Sequence, residues 1–181
     1  DKKILQTVRL LICSFLVKLG CFLILKQSVF SIMKGDFMKV GMFTSGYQRN
    51  DLEDIFRDAK RFGYDYIELW GGRPHAYVYD LKRGQIDSLL SLRDKYEIPI
   101  KVYTPEHNAY PYNYMIGDEY QRKDSIKYLK SALDAGKALG ADYTVISAGH
   151  AGYEATRKEI WRRLCKSIRE LVDYAEDKEH I

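Results

Sequence analysis

Cysteine is scarce in this chain. Three in 181 residues cannot make a paired disulfide framework, and their spacing is not that of a zinc cluster. No glycine-rich phosphate fingerprint follows the first strand-like run, which argues against a dinucleotide-binding fold. No long unbroken apolar run is present either. The apolar stretch over residues 10–25 falls short of the roughly 20 residues of a membrane span and carries Lys18 in its middle. A small-x-small cleavage pattern is missing after it, which argues against a signal peptide. A net charge of +4 is too small to argue for nucleic acid.

What is present falls into two unlike segments. Residues 1–37 hold six Lys/Arg and two Asp/Glu, and so carry the whole net charge. They also hold Cys13 and Cys21, but no Tyr, His or Pro. All 15 Tyr, all four His and all four Pro lie in residues 38–181, where the charges balance. Met38 opens MKVGMF, as an initiator followed directly by a first strand. The residues just before it, Lys34-Gly35-Asp36-Phe37, can be encoded by a purine-rich stretch of the ribosome-binding type. Residues 1–37 therefore read as a hydrophobic basic extension, a translated leader. A membrane anchor or signal-like helix and a genuine helical extension are the alternatives.

From Met38 onward, strand and helix patterns alternate. Short apolar runs at residues 39–43, 65–70, 100–104 and 142–147 read as buried strands. Asn50 and Glu53 form a capping-box pattern that opens a helix, which Gly63 closes. Further helices are predicted at 85–96, 119–139 and 155–177, with Gly140 stopping the second of these. Four successive strand–helix units imply parallel pairing with right-handed crossovers. The pattern suits half of a parallel barrel, in which ligands sit at the carboxyl ends of the strands. Here those ends read TSGYQ, WGGRPHAY, YTPEHNAYPYN and SAGHAGY, rich in Tyr, His, Asn and Gly.

GYDYIELWGGRPHAY, YTPEHNAYPYNYMIGDE and SAGHAGY, in this order and spacing, resemble the sugar phosphate isomerase/epimerase family, the xylose-isomerase-like TIM barrels. The likeness runs from Met38 to about Asp177 and leaves residues 1–37 unmatched. It implies an α/β fold: the N-terminal half, four strand–helix units, of a (β/α)8 barrel. It also implies a metal-dependent epimerase or isomerase acting on a ketose or ketosamine. Such an enzyme removes a proton next to a carbonyl and returns it on the opposite face, through an enediolate. The likeness places the ligands of a divalent metal, manganese or similar, and both proton-moving carboxylates beyond Ile181. The chain is then expected to be a truncated, inactive fragment holding no metal. The rival readings are another sugar isomerase of the family (hydroxypyruvate or ketohexose type), an apurinic-site phosphodiesterase, and a non-catalytic half-barrel.

The residues expected to shape the substrate follow from the strand ends. Glu68 alternates with Ile67 and Leu69 and so should point to the opposite face. Trp70 and Tyr103 could stack on a sugar, although core packing suits either. Arg73 and His75 could meet a polar end of the substrate. Glu106, His107 and Asn108 follow the third strand, and His150 the fourth. The run Tyr110-Pro111-Tyr112-Asn113-Tyr114 could form an aromatic lid. The partner expected is a small sugar or ketosamine, with no nucleic acid and no membrane. The intact protein is expected to be a cytoplasmic homo-oligomer, with Cys165 a plain thiol. A half-barrel on its own leaves two sheet edges and its interior face open, which predicts self-association.

Overall fold

A computed structural model of the chain describes residues 38–107 and 111–178. All described helices and strands lie in one compact unit that begins at Val40. The leader reading of residues 1–37 and the candidate Asn108 lie outside the described residues.

The elements are β1 (Gly41–Phe43), α1 (Leu52–Phe62), β2 (Tyr66–Gly71), α2 (Ile86–Tyr96), β3 (Ile100–Pro105), α3 (Glu119–Ala138), β4 (Tyr143–Thr144) and α4 (Arg157–Asp177). A 3-10 turn, Thr44–Tyr47, follows β1. A single helical turn, Val78–Asp80, and a wide turn, Leu81–Gln85, lead into α2. The four strands make one parallel sheet in the order β1-β2-β3-β4. These are the four strand–helix units of the sequence pattern, and they cover about half of a barrel.

Strand alternation sorts the sheet into two faces. Along β2, Ile67, Leu69 and Gly71 are buried, while Tyr66, Glu68 and Trp70 are half-buried. Ile67 and Leu69 join one core with Ile55 and Phe56 of α1, Leu89 of α2, Leu129 of α3 and Leu171 of α4. A register shift at Ile67/Glu68 pairs Ile67 with Ile100 but Glu68 with Val102 and Trp70 with Thr104. The shift puts Glu68, Trp70, Val102 and Thr104 on the open face together.

Two local expectations are corrected. Asp51, not Asn50, precedes α1, and no side chain caps it. Glu53 turns to α2 instead, where its carboxylate accepts the Tyr96 hydroxyl at 2.8 Å and an ion pair from Lys95. A capping box forms at α4: Thr156 Oγ1 accepts the Glu159 N–H, and the Glu159 carboxylate accepts the Thr156 N–H. The fourth strand, expected over 142–147, keeps only Tyr143–Thr144. It is paired on one side, and after Val145 N–H reaches Tyr103 O at 2.8 Å the chain leaves the ladder.

Helices α3 and α4 are joined through one buried cation. Arg122 grips Glu119 with Nε and Nη2, both at 2.8 Å, and reaches Glu170 and Ser167 on α4 with Nη1. Lys166 adds a second pair to Glu119. These donors hold the Glu119 carboxyl down at about 2.

Candidate functional site

The carboxyl ends of the strands meet in a cleft of about 360 Å³. Phe43, Trp70 and Val145 supply its apolar walls, and Ser45, Gln48 and Glu106 its polar groups. Behind this lining Thr44, just after β1, ties β1 to β2: its hydroxyl oxygen accepts the Trp70 backbone N–H at 2.8 Å. The Trp70 indole N–H donates to Glu106 at 2.8 Å, so ring and carboxylate orient each other across β2 and β3. One layer down, Thr104 donates to Glu68 at 2.9 Å. That bond supplies the partner a half-buried carboxylate needs.

His107 is buried and closes the far side. Its Nδ1–H donates to Pro105 O at 2.7 Å, which leaves Nε2 to accept the Ser147 backbone N–H at 3.0 Å. These two bonds match a ring with its hydrogen on Nδ1. Its ring stacks on Tyr114, whose hydroxyl donates to Ser147 O at 2.7 Å. Burial pushes the Tyr114 phenol up to about 12.

The remaining candidates lie elsewhere. Tyr103 is fully buried on the helix side of the sheet, with its hydroxyl on Ala76 O at 2.8 Å, and it does not reach the cleft. Strand alternation explains this: Tyr103 pairs with Leu69, a core residue, and not with Glu68. Arg73 is held by Asp80 through two bonds and lies over the Tyr77 ring, 4.6 Å from its centroid. His75 is buried, with Nε2 on Asn50 O at 2.9 Å, in a separate cleft between the starts of α1 and α2. His150 is exposed, and its carbonyl accepts the Asn113 side-chain amide at 2.7 Å. The aromatic run after β3 does not form a free lid among its described residues. Tyr112 stacks on buried Tyr128 at 3.9 Å, and Tyr114 is buried.

The cleft thus gathers Trp70, Glu106 and His107, with Glu68 beneath them. It adds Ser45, Gln48, Thr104 and Ser147, which lie within the strand-end strings TSGYQ, YTPEHNAYPYN and SAGHAGY but are not among the residues expected to shape the substrate. Thr104 had a signal in the strand period, since its register partner is Trp70 and its hydrogen-bond partner is Glu68. A larger cleft, about 600 Å³, lies beside Gly152 and Tyr153, away from the first three strand ends. Among the described residues, no group of three or more His, Cys, Asp or Glu side chains is placed to hold a metal ion. No helix among them is long and apolar enough to cross a membrane.

Four parallel strand–helix units with a cleft at the strand ends define the start of an α/β barrel. The model of the xylose isomerase-like TIM barrel family matches residues 56–180, and the chain belongs to that family. Fructoselysine 3-epimerases of Escherichia coli O157:H7 and of Shigella flexneri are each 52% identical to it over 140 residues. That stretch is 77% of this chain and 51% of each relative, so the chain spans about half their length. The solved 3-keto-D-glucoside 4-epimerase of E. coli shares the fold, with a TM-score of 0.62 at 16% identity, over 80% of this chain and 54% of that one.

Proposed function

We propose that this chain forms the substrate-shaping half of a sugar epimerase of the fructoselysine 3-epimerase type. The observation that carries the reading is the 52% identity over 140 residues to enzymes of that name. The cleft at the strand ends supports it, since barrels of this kind hold their substrates there. Epimerisation at carbon 3 of a ketose removes the proton beside the carbonyl and returns it on the other face. Each transfer needs a group on its own side of the sugar plane.

In this reading the described residues orient the sugar. Trp70 and Phe43 offer flat apolar surface to the C–H face of the chain or ring. Ser45, Gln48 and Glu106 offer hydrogen-bond partners to its hydroxyls. Glu68 lies one layer below and fixes the hydroxyl of the lining residue Thr104. A divalent cation, manganese or similar, belongs to the proposal through the family likeness. The described residues offer it no cluster of three ligands. The reading also has the chain working in the cytoplasm, and being inactive without four further strand–helix units.

The test is solvent-hydrogen exchange. The full chain, alone and fused to the second half of the E. coli O157:H7 relative, is incubated with fructoselysine in deuterium oxide. Deuterium at carbon 3 with the fusion, and none with the chain alone, is the expected result. No exchange with the folded fusion overturns the reading.

A further inference from the structure

The charge around the cleft is one-sided. Its described lining contains no lysine or arginine, and Glu106 is its one formally charged member. Glu68, the second carboxylate of the same open face, lies one layer below and is hydrogen-bonded to the lining residue Thr104. The basic side chain nearest in sequence to the β2 end, Arg73, is committed to Asp80 and to the Tyr77 ring. Glu106 itself is exposed and is oriented by the Trp70 indole N–H, which reaches Oε2. Its charge extends behind the cleft as well. Burial first, and then neighbours that include Glu106, push the Tyr128 phenol upward.

A carboxylate held at the N–H edge of an indole ring, with the ring face beside it in the same cleft, is a cation-recognition arrangement. The carboxylate supplies charge and an acceptor, and the ring adds the attraction of its π-face. A phosphate dianion placed in the same cleft meets the Glu106 carboxylate and no cation among the described lining residues. We propose that Glu106, with Trp70, is the specificity-determining pair for an amine-bearing, positively charged sugar, and discriminates against phosphorylated sugars. The inference rests on the epimerase reading and deepens it, because it names the group that tells a ketosamine from a neutral ketose.

The probes are 1-amino-1-deoxyfructose, fructose and fructose 6-phosphate. The first replaces one hydroxyl of fructose by an ammonium group and carries no lysine tail. Binding to the full chain is followed by Trp70 fluorescence, with Trp161 replaced by Phe. The cation is expected to bind about tenfold more tightly than fructose, and the phosphate more weakly than fructose. Glu106→Gln keeps an oxygen for the indole N–H and removes only the charge. It is expected to bring the cation-to-fructose ratio near one, with the cation losing about tenfold more affinity than fructose. Added salt is expected to weaken the cation alone, as a charge interaction requires.

An unchanged ratio in Glu106→Gln, or equal losses for both sugars, overturns the assignment of Glu106 and leaves the epimerase reading standing. Binding of none of the three probes by the chain or the fusion, together with no carbon-3 exchange in the fusion, overturns both.

Discussion

His107 Nε2 accepts the backbone N–H of Ser147 at 3.0 Å, across 40 residues of sequence. That bond ties the end of β3 to the chain leaving β4, and so sets one wall of the cleft. The strand ladder has already stopped there, and a side chain takes over the role of the missing backbone bonds.

His107→Ala removes this bond, the bond to Pro105 O and the stack on Tyr114. We expect a loss of about 1–3 kcal/mol in urea unfolding. His107→Asn, which keeps a donor and an acceptor, is expected to lose less. Equal stability of the alanine variant and the parent would show that the clip contributes nothing.

Gly71 pairs with Pro105 at the end of the β2–β3 ladder. A Cβ there would sit 2.6 Å from Pro105 Cα and 2.8 Å from the Tyr103 hydroxyl. The first contact is backbone and cannot swing away. Gly71→Ala is expected to cost about 1–3 kcal/mol by overpacking. Gly46→Ala, with nothing within 4 Å, is the control and should shift the urea midpoint little.

Arg122 is the buried cation between α3 and α4. Arg122→Met keeps most of the aliphatic stem but strips Glu119, Glu170 and Ser167 of their shared donor. Both glutamates keep access to water, so the expected loss of about 2 kcal/mol is below the ~3–5 of a fully buried pair. Arg122→Lys is expected to recover part of it, since one ammonium cannot reproduce the guanidinium fork. Thermal unfolding of the three proteins measures the order.

Glu119 has its carboxyl lowered from 4.5 to about 2 by Arg122 and Lys166. A depressed carboxyl stabilises the fold above its unfolded value and loses that contribution as pH falls through the folded one. The stability gap between the parent and Glu119→Gln is therefore expected to be full above about pH 4.5 and to close towards pH 2. Urea midpoints measured over this range check it, and a gap independent of pH would show that Glu119 is not held by charge.

Much of the fold was legible because its signals are local. Gly63 and Gly140 mark helix ends through their positive φ, and the apolar residues of α1 recur on one face. The capping box at Asn50 and Glu53 was equally local, yet Glu53 went to Lys95 and Tyr96 on α2. Two donors on a neighbouring helix cannot be seen in a four-residue pattern. The candidate site divided in the same way. Strand alternation predicted that Glu68 would leave the Ile67/Leu69 face. The same rule, applied across the register shift at Ile67/Glu68, sends Tyr103 into the core.

The amino-acid sequence by itself determined the four strand–helix units, their parallel order and the loops that carry polar and aromatic groups. Those follow from periodicity and turn chemistry, which act over a few residues. Only the tertiary structure decided which loop side chains meet. Trp70 with Glu106, Glu68 with Thr104 and His107 with Ser147 are pairs 36 to 40 residues apart. Their contact depends on strand register and on where the β4 ladder ends, and neither is encoded in any single segment.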